Sequence, residues 1–457
     1  MKTKKRRMEF ISFYNHTGLE KHFAKMAKKG WLIESMSNYY WTYRKIEPKD
    51  IHFCVTYYPR ASDFDAVPSQ KQQIFHEFCA HTGWQLCCTW HQMQVFYNEK
   101  EDPIPLETDP VMEVETVHSA CKKNFLPSQF ILLGLGLIRS ISFIGTAIVE
   151  PIVLLSNASQ LLSGFSFFCI MLIAAIELIS YYTWFFKAKK AALEGIFVDT
   201  PNTSYFQRSI LTLVLFGFVL WLINLAFGSD PLYFWIATLM LAVIIALHLT
   251  VNGIKLGLKK MKVSRDVNKF LTIAACFALT FVLLGGVTWM IMGMNRAGVL
   301  KRNPAEHTDV PLSLSDLADI NEDQYIAENR LNQTVLLRHQ VVHQRKPYDK
   351  DGTSSAPDLL YATVTVKFPM LYDWCKNQLY YSWDETNSNE WPEGNRMVFQ
   401  KQDPSPWAAK EVYRLYSEEG WWTNTYLLCY EKRIISIRFD WEPTEAQMAT
   451  VSQKLNP

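Results

Sequence analysis

The stretch GLEKHFAKMAKKGWLIES, residues 18–35, determines how the first part of this chain folds. Apolar residues recur in it at three- and four-residue spacing with lysines between them, which predicts an amphipathic helix over 17–29. The apolar face of this helix carries Leu19, Phe23, Met26 and Ala27. Thr17 and Glu20 have capping-box spacing at its start, because a hydroxyl and a carboxylate three residues apart can each bond a free backbone N–H.

Gly30 follows the helix and predicts its end, since glycine adopts the left-handed backbone of a helix terminus without steric cost. Residues 31–36 and 39–46 are rich in aromatic and aliphatic side chains and predict a β-hairpin. Its second strand places three aromatic side chains on one face: Tyr39, Trp41 and Tyr43. A further strand is expected over 51–58.

The same plan recurs later in the chain. Residues 69–82 predict a second helix, a Gly-Trp pair again follows, and strands at 84–90 and 93–97 predict a second hairpin. The predicted inward face of the second helix carries Ile74, Phe75, Phe78 and Cys79. Two helix-Gly-Trp-hairpin units indicate one α+β domain over 1–126, for which we expect a ferredoxin-like layout.

The second unit contains FCAHTGWQLCCTWH, residues 78–91, whose three cysteines and two histidines raise the alternative of a metal site. In the predicted fold Cys79 faces inward and His81 lies in the last turn of the helix. Cys87 and Cys88 are neighbours on a strand and point to opposite faces, which does not suit one tetrahedral site. No paired C-x-x-C spacing is present, so we favour core packing and predict no metal ligands.

The quoted helix, followed by an aromatic strand, a second helix and a second Gly-Trp pair, resembles the bacterial family called domain of unknown function 2812 (DUF2812). The resemblance extends over residues 13–98, and the multi-span segment behind them is also typical of such proteins. Its motif is structural, so it implies a fold and a location rather than a catalytic mechanism. Members are often encoded beside PadR-like transcriptional regulators, which implies envelope signalling and a partner linked to such a regulator.

Long apolar runs with almost no charge lie between residues 127 and 293. Five of them have about the 20 residues that a helix needs to cross a bilayer. The predicted spans are 128–149, 161–186, 209–228, 232–254 and 270–293. We therefore predict a soluble domain over 1–126, a five-helix transmembrane domain over 127–293 and a second α+β domain over 294–457.

The loops between these spans differ in charge. The first and third contain no Lys or Arg, whereas the second and fourth contain many. Because Lys and Arg accumulate on the cytosolic side, this alternation predicts a multi-pass plasma-membrane protein with a cytosolic N-terminus and a C-terminus outside. The N-terminal run MKTKKRR could bind nucleic acid or anionic lipid, but we favour a solvated cytosolic tail, and we expect no cleaved signal because no apolar core follows it.

Residues 294–457 return to soluble α+β character. Strands are predicted at 333–342, 361–368, 412–416, 424–430 and 433–439, the last two as a hairpin. Helices are predicted at 371–381 and 444–455, the second capped by Thr444. Outside the cytosol Cys375 and Cys429 could form one disulfide, and the sequence leaves this open.

Many aromatic residues occur in the same part of the chain: Trp374, Tyr380, Tyr381, Trp383, Trp391, Trp407, Trp421 and Trp422. They could form a platform for a ligand or a carbohydrate. We favour instead a small-domain core together with a surface that rests on lipid headgroups, since Trp and Tyr are enriched there. No feature of the sequence identifies a ligand of this outer domain.

Walker, Rossmann, nucleophile-elbow, H-E-x-x-H and kinase motifs are absent from the sequence. We therefore predict no catalytic or cofactor-binding residues. We favour a sensor or regulator that couples the outer domain to a cytosolic protein-binding domain, with no direct binding of nucleic acid. A transport or channel component is the alternative, although few polar residues occur in the spans, and a membrane enzyme without a recognisable motif comes third.

Arg139 and Glu177 are the most conspicuous charges within the predicted spans. An ionisable group at mid-membrane costs about 2.5–3.5 kcal/mol on insertion scales, so a paired or functional role is expected. At about 1.5 Å per residue the two lie at similar depths in neighbouring spans, which predicts an intramembrane ion pair. Close helix approach is predicted at four glycines: Gly134, Gly136, Gly285 and Gly286.

Overall fold

The structure is a computed structural model, and it describes residues 3–37, 40–226, 231–297, 310–320, 324–346, 357–390, 397–417 and 419–456. The chain divides into two compact units, each of which is described by itself. Unit 1 comprises Met1–Ser140 and Phe165–Gly293, and unit 2 comprises Ile141–Gly164 and Met294–Pro457. Three residues named in the predictions lie outside the described residues: Tyr39, Gly228 and Trp391.

The N-terminal part of unit 1 is an α+β domain. Its elements are β1 (Lys4–Arg7), α1 (His16–Ala27), β2 (Trp31–Met36), β3 (Trp41–Lys45), β4 (His52–Tyr57), α2 (Gln70–His81), β5 (Gln85–Trp90), β6 (Met93–Asn98) and α3 (Pro110–Lys123). The strands form two three-stranded antiparallel sheets, in the orders β1-β3-β2 and β4-β6-β5, and β2 lies beside β5. A ferredoxin-like layout has one shared sheet, so that expectation is not confirmed.

Both Gly-Trp pairs end a helix as predicted. Gly30 has a φ of 78° and Gly83 a φ of 94°, in the left-handed region that glycine favours. The first hairpin pairs Trp31 with Lys45, and the second pairs Trp90 with Met93. The basic N-terminal run differs from its prediction as a solvated tail, because residues 4–7 pair with β3 as an edge strand.

The helix starts and one helix face required correction. Asn15, rather than Thr17, caps α1, and Glu20 accepts a hydrogen bond from Val55 N of β4 at 2.9 Å instead of closing a capping box. The predicted inward face of α2 is wrong in part, because Ile74 and Phe78 are 57% and 61% exposed. The buried residues of α2 are Gln72 and Cys79.

Long helices follow the α+β domain. They are α4 (Phe125–Val149), α6 (Ala158–Ala192), α7 (Ser204–Ala226), α8 (Pro231–Lys260) and α9 (Arg265–Arg296), with the short α5 (Pro151–Ser156) between the first two. Five helices of the described chain are long and apolar enough to cross a membrane, which agrees with the five predicted spans.

The core of the α+β domain extends beyond residue 126 onto α6. Five side chains from the C-terminal half of α6 lie in the same hydrophobic cluster as α1, α3 and the two sheets: Leu178, Tyr181, Trp184, Ala188 and Ala192. Tyr181 is fully buried and its ring centroid lies 5.2 Å from that of Tyr14. The C-terminal end of the predicted second span is therefore part of the domain core.

Close approach of helices occurs at one of the four predicted glycines in the described chain. A Cβ added to Gly136 of α4 would lie 2.7 Å from Met171 Cβ of α6, closer than real Cβ atoms approach. At Gly134, Gly285 and Gly286 an added Cβ would meet no described atom within 4 Å. Gly136 therefore sets the spacing of α4 and α6 at this level.

Unit 2 contains a seven-stranded antiparallel sheet. Its strands are β7 (Ile326–Gln333), β8 (Leu337–Arg345), β9 (Leu359–Val366), β10 (Met397–Gln402), β11 (Glu411–Ser417), β12 (Trp422–Cys429) and β13 (Arg433–Phe439), in the order β10-β11-β12-β13-β9-β8-β7. One face buries α11 (Glu445–Leu455), capped by Thr444 as predicted, and the other buries α10 (Tyr372–Glu390) and α5.

Two strands of this sheet were not predicted. The first is β7, since the expected strand at 333–342 corresponds to β8. A turn separates the two strands, because Thr334 Oγ1 accepts hydrogen bonds from Leu336 N and Leu337 N. The β10 strand was also absent from the prediction. The remaining predicted strands agree with β9, β11, β12 and β13 to within a few residues.

Candidate functional site

The loop over 193–203, which joins α6 to α7, contacts the start of α1 within unit 1. Asn15 Oδ1 accepts hydrogen bonds from Gly18 N at 2.9 Å and from the Thr200 hydroxyl at 2.6 Å. The hydroxyls of Thr17 and Thr200 lie 2.7 Å apart, and Thr200 N donates to Thr17 Oγ1 at 3.0 Å. The residues that begin α1 are thereby fixed to the segment that begins α7.

Glu177 lies next to this contact and is 2% exposed. Its carboxylate accepts hydrogen bonds from Thr203 Oγ1 and Gln207 Nε2. Gln207 Nε2 also donates to Ser12 Oγ at 3.2 Å, and the hydroxyls of Ser12 and Thr203 lie 3.0 Å apart. We call these four residues the Glu177 network; it joins α6, α7 and the segment before α1.

Arg139 has a different neighbour. Its guanidinium carbon lies 5.7 Å from the ring centroid of Phe167, in a cation–π contact. Hydroxyl and amide groups at the start of α7 bond the Glu177 carboxylate, and among the described residues no ion pair joins it to Arg139. The pairing of Arg139 with Glu177 stays a prediction.

A cleft of about 430 Å³ opens beside the Glu177 network. Its walls come from the N-terminal strand, from α1 and from the first turns of α7. The charged lining consists of five cationic side chains, one carboxylate and one histidine: Arg7, Lys21, Lys25, Lys29, Arg208, Glu9 and His22. We call this the basic cleft.

The single carboxylate of the basic cleft is already paired. Glu9 Oε1 lies 2.9 Å from Arg7 Nε and 3.5 Å from His22 Nε2, and the Glu9 side chain is 2% exposed. Burial raises the pKa of Glu9, but the neighbouring His22 and the charges of Arg7 and Arg208 outweigh it, so the net pKa is lowered. Glu9 is therefore ionised at neutral pH.

The remaining cations differ in their partners. Lys21 pairs with Asp199, and both side chains are 69% exposed. Within the described part of the chain, no carboxylate lies within ion-pair distance of Lys25, Lys29 or Arg208, although the charge of Arg208 acts on Glu9. Three positive charges thus face the basic cleft without a directly bonded carboxylate.

A second polar contact joins the loop after β4 to the last turns of α8 and the first turn of α9. Lys255 Nζ lies 2.7 Å from Asp63 Oδ2, and Arg265 Nε lies 2.6 Å from Asp65 Oδ1. Asn268 Nδ2 donates to the backbone oxygen of residue 64 at 3.2 Å. These bonds connect the basic loop between α8 and α9 to the α+β domain of the same unit.

A group of acidic side chains surrounds the buried His16, the first residue of α1. His16 Nε2 lies 2.7 Å from Glu113 Oε1 of α3. Burial lowers the pKa of His16, but its hydrogen bond to Glu113 and the charge of that carboxylate raise it more, so the net pKa is raised. Burial raises the pKa of Glu20 to about 7 and also raises the pKa of Glu107. Within this cluster Glu20 therefore titrates near neutral pH.

In the Cys/His stretch at 78–91, Cys79 and Cys88 lie in the core, whereas His81 is exposed and Cys87 and His91 are half-buried. Cys79 packs with Trp84 and Phe96, whereas Cys88 belongs to the larger core cluster of the domain. Burial raises the pKa of Cys79 to about 11 and that of Cys87 to about 12, so these thiols remain protonated and unreactive at neutral pH. Among the described residues no three His, Cys, Asp or Glu side chains come close enough to hold a metal.

The C-terminal aromatic residues are dispersed over unit 2. Trp407 is buried against Tyr426, and Tyr380 packs on Phe399 in a different cluster. Four others are partly exposed: Trp374, Tyr381, Trp421 and Trp422. The Trp383 side chain and Trp391 lie outside what the structure describes.

Cys375 and Cys429 are both buried free thiols in one hydrophobic cluster of unit 2. The disulfide that the sequence left open is therefore not formed in this structure. Burial raises the pKa of Cys375 to about 12 and that of Cys429 to about 11, which keeps both thiols protonated.

The sequence prediction missed the basic cleft and the domain face of α6. Arg7 and Arg208 are far apart in the chain, so no local pattern joins them. One signal for α6 was present: Tyr181, Trp184 and Ala188 recur at three- and four-residue spacing while lysines occupy other positions, as in an amphipathic helix. The arrangement can hold an anion in the cleft, and it can transmit movement of α6 or α7 to α1.

Comparisons with known proteins bear on the first quarter of the chain. Residues 16–128 match the family model described as Protein of unknown function (DUF2812). No curated protein matches the chain, and no solved structure matches it. The matched segment comprises both helix-Gly-Trp-hairpin units, α3 and the start of α4. The resemblance seen in the sequence is thereby confirmed, and residues 16–128 are a DUF2812 segment that leads into a multi-pass helical region.

Proposed function

We propose that the chain is a membrane protein of the sensory or regulatory class, in which α6 couples the C-terminal domain to the DUF2812 domain. The observation that supports this is the extent of α6, a single helix of 35 residues. Residues 158–164 belong to unit 2, and the rest of the helix belongs to unit 1. A continuous helix transmits displacement along its axis, because its backbone hydrogen bonds resist local bending.

Each end of this helix is attached within its own unit. In unit 1, Tyr181 and Trp184 are 0% and 3% exposed in the core of the DUF2812 domain. In unit 2, the α5 segment that precedes α6 is bonded to the C-terminal domain: Ile152 N donates to Gln378 Oε1 at 2.8 Å, and Thr334 Oγ1 donates to Leu155 O at 2.6 Å. A ligand that moves the C-terminal sheet would therefore move α5 and, through it, α6.

We further propose that the DUF2812 domain lies in the cytosol and the C-terminal domain outside. Lys and Arg accumulate on the cytosolic side, and the basic segment where α8 ends and α9 begins supplies the partners of Asp63 and Asp65 in the DUF2812 domain. The first loop has no Lys or Arg and carries α5. A reporter enzyme that works only outside the cytosol, fused after residue 457, should be active, and a silent fusion that is expressed and inserted would contradict this orientation.

The partner of the cytosolic domain is proposed to be a protein, linked to a PadR-like regulator as the family resemblance implies. In this account the stimulus shifts the population of two packings of the helices and so changes what the DUF2812 domain binds. Deleting the gene should alter transcription of neighbouring genes and leave solute flux unchanged. Altered flux with unaltered transcription would support the transport alternative instead.

A further inference from the structure

We propose that the basic cleft binds a phosphate-type anion, supplied by the headgroup of an anionic phospholipid. The inference goes beyond the proposed coupling function, and it rests on the proposed orientation only for the side of the membrane that the cleft faces. It rests on the charge, the size and the position of the cleft, and each of these is an independent observation.

The charge of the cleft points to an anionic ligand. Five cationic side chains face one carboxylate, and that carboxylate, Glu9, is held by Arg7 and His22. Among the described residues, no carboxylate lies within ion-pair distance of Lys25, Lys29 or Arg208. Like charges that converge on a cavity repel one another, and an anion between them removes this repulsion.

The size of the cleft shows that it is a pocket and not only a charged patch on a flat surface. Its volume of about 430 Å³ lies within the range of small-molecule pockets. The lining also offers hydroxyl and amide groups from Thr17, Asn202 and Ser204, which can bond phosphate or glycerol oxygens. A phosphate bearing a glycerol group therefore fits the cleft in both volume and chemistry.

The position of the cleft favours a lipid as the source of the anion. One wall is the start of α7, where the candidate membrane span begins at Ser204. Tyr205, which lines the cleft, is 76% exposed, and its neighbour Phe206 is 43% exposed. Aromatic side chains at the end of a span mark the headgroup level, and basic pockets on the cytosolic side bind anionic headgroups.

A lipid held there would bridge two elements of unit 1. Lys25 and Lys29 come from α1 or the residues just after it, and Arg208 comes from α7. Gln207, the residue beside Arg208, belongs to the Glu177 network. Binding would therefore fix α7 against α1 at the same place where the network joins them.

The test is a titration of the purified full chain in detergent with phosphatidylglycerol or phosphatidylcholine, followed by native mass spectrometry. The wild-type chain should bind one phosphatidylglycerol tightly and saturably, and phosphatidylcholine weakly. The triple variant Lys25→Gln, Lys29→Gln, Arg208→Gln should lose affinity on the order of 100-fold for phosphatidylglycerol, since three cations near the headgroup are removed. None of these side chains forms an ion pair with a carboxylate among the described residues, so the variant should fold.

Two controls complete the test. The triple variant Lys45→Gln, Lys71→Gln, Lys122→Gln removes the same charge from elsewhere on the domain and should bind within twofold of wild type. Glycerol 3-phosphate and inorganic phosphate are added as competitors: if either displaces the lipid at low concentration, the anion site stands and its source is a soluble phosphate. Binding that is unsaturable, or that is equally strong in the cleft variant and the control variant, overturns the proposal.

Discussion

The Gln207 side-chain amide, in the second turn of α7, donates a hydrogen bond to the buried carboxylate of Glu177 in α6. The same amide reaches Ser12 of the segment before α1, so one side chain links three parts of unit 1. A buried carboxylate requires such donors, because an unpaired buried charge is strongly destabilising.

The first prediction concerns this network. Glu177→Leu should lower the melting temperature of the full chain in detergent, because Gln207 and Thr203 lose their shared acceptor. Arg139→Leu should have a smaller effect, since Arg139 contacts Phe167 and not Glu177. The swap Arg139→Glu with Glu177→Arg should be worse than either single change. Recovery of stability in the swap would instead establish the ion pair expected from the sequence.

The second prediction concerns the spacing of α4 and α6. Gly136→Ala should destabilise the chain by about 1–3 kcal/mol, because the new Cβ would lie 2.7 Å from Met171 Cβ and the helices must separate. Gly134→Ala is the matched control, since no described atom lies within 4 Å of its added Cβ. Thermal unfolding in one detergent compares the two variants, and equal stabilities would show that the close approach is absent.

The third prediction concerns the domain face of α6. Tyr181→Ala should cost about 3–5 kcal/mol, as for other large buried aromatic residues, and should unfold the DUF2812 domain at lower temperature. Phe186→Ala, at a side chain that is 65% exposed on the same helix, is the control. Proteolysis of the α+β domain during heating provides the measurement. Equal protease resistance of the two variants would mean that α6 does not complete this core.

The sequence was sufficient for local elements and insufficient for their contacts. Helical spacing and the Gly-Trp pairs located α1, α2 and both hairpins, because periodicity and left-handed glycine are local properties. Apolar length located all five long helices. The spacing did not show that Glu177 meets Thr203 and Gln207, because those bonds depend on where the loop over 193–203 returns.

The boundary between β7 and β8 was not predicted, for a related reason. The turn at Thr334 contains no glycine or proline, so its residues were assigned to one continuous strand, although the Thr334 hydroxyl bonds the backbone and makes the turn. The exposure of Ile74 and Phe78 could likewise not be predicted from the sequence, since apolar residues at helical spacing can face either a core or a surface.

The fourth prediction concerns pH. The raised pKa of His16 gives stability that is full below pH 6.5 and is lost as the pH rises through the folded value. Glu20, with its pKa raised to about 7, favours the folded state less as the pH rises from 4.5 to that value. Both signs agree, so the contribution of His16 and Glu20 to the melting temperature should be larger at about pH 5.5 than at about pH 8.

The variant Glu20→Gln separates the contribution of Glu20 to the pH dependence from that of His16. The amide keeps an acceptor for Val55 N but does not titrate, so the variant should show a weaker dependence on pH than wild type. Glu115→Gln, on the exposed side of α3, should retain the full dependence. An unchanged pH profile in Glu20→Gln would remove Glu20 from the explanation.

Coupling through α6 is the central claim, and hydrogen exchange of the full chain in nanodiscs tests it most directly. Gln378→Leu removes the acceptor for Ile152 N at α5, whereas Asn377→Leu changes the exposed neighbouring residue of α10. We predict that Gln378→Leu speeds amide exchange in α5 and also in α3 and in residues 178–192 of α6, while Asn377→Leu changes neither. Faster exchange confined to α5, with the DUF2812 domain unaffected, would contradict the account.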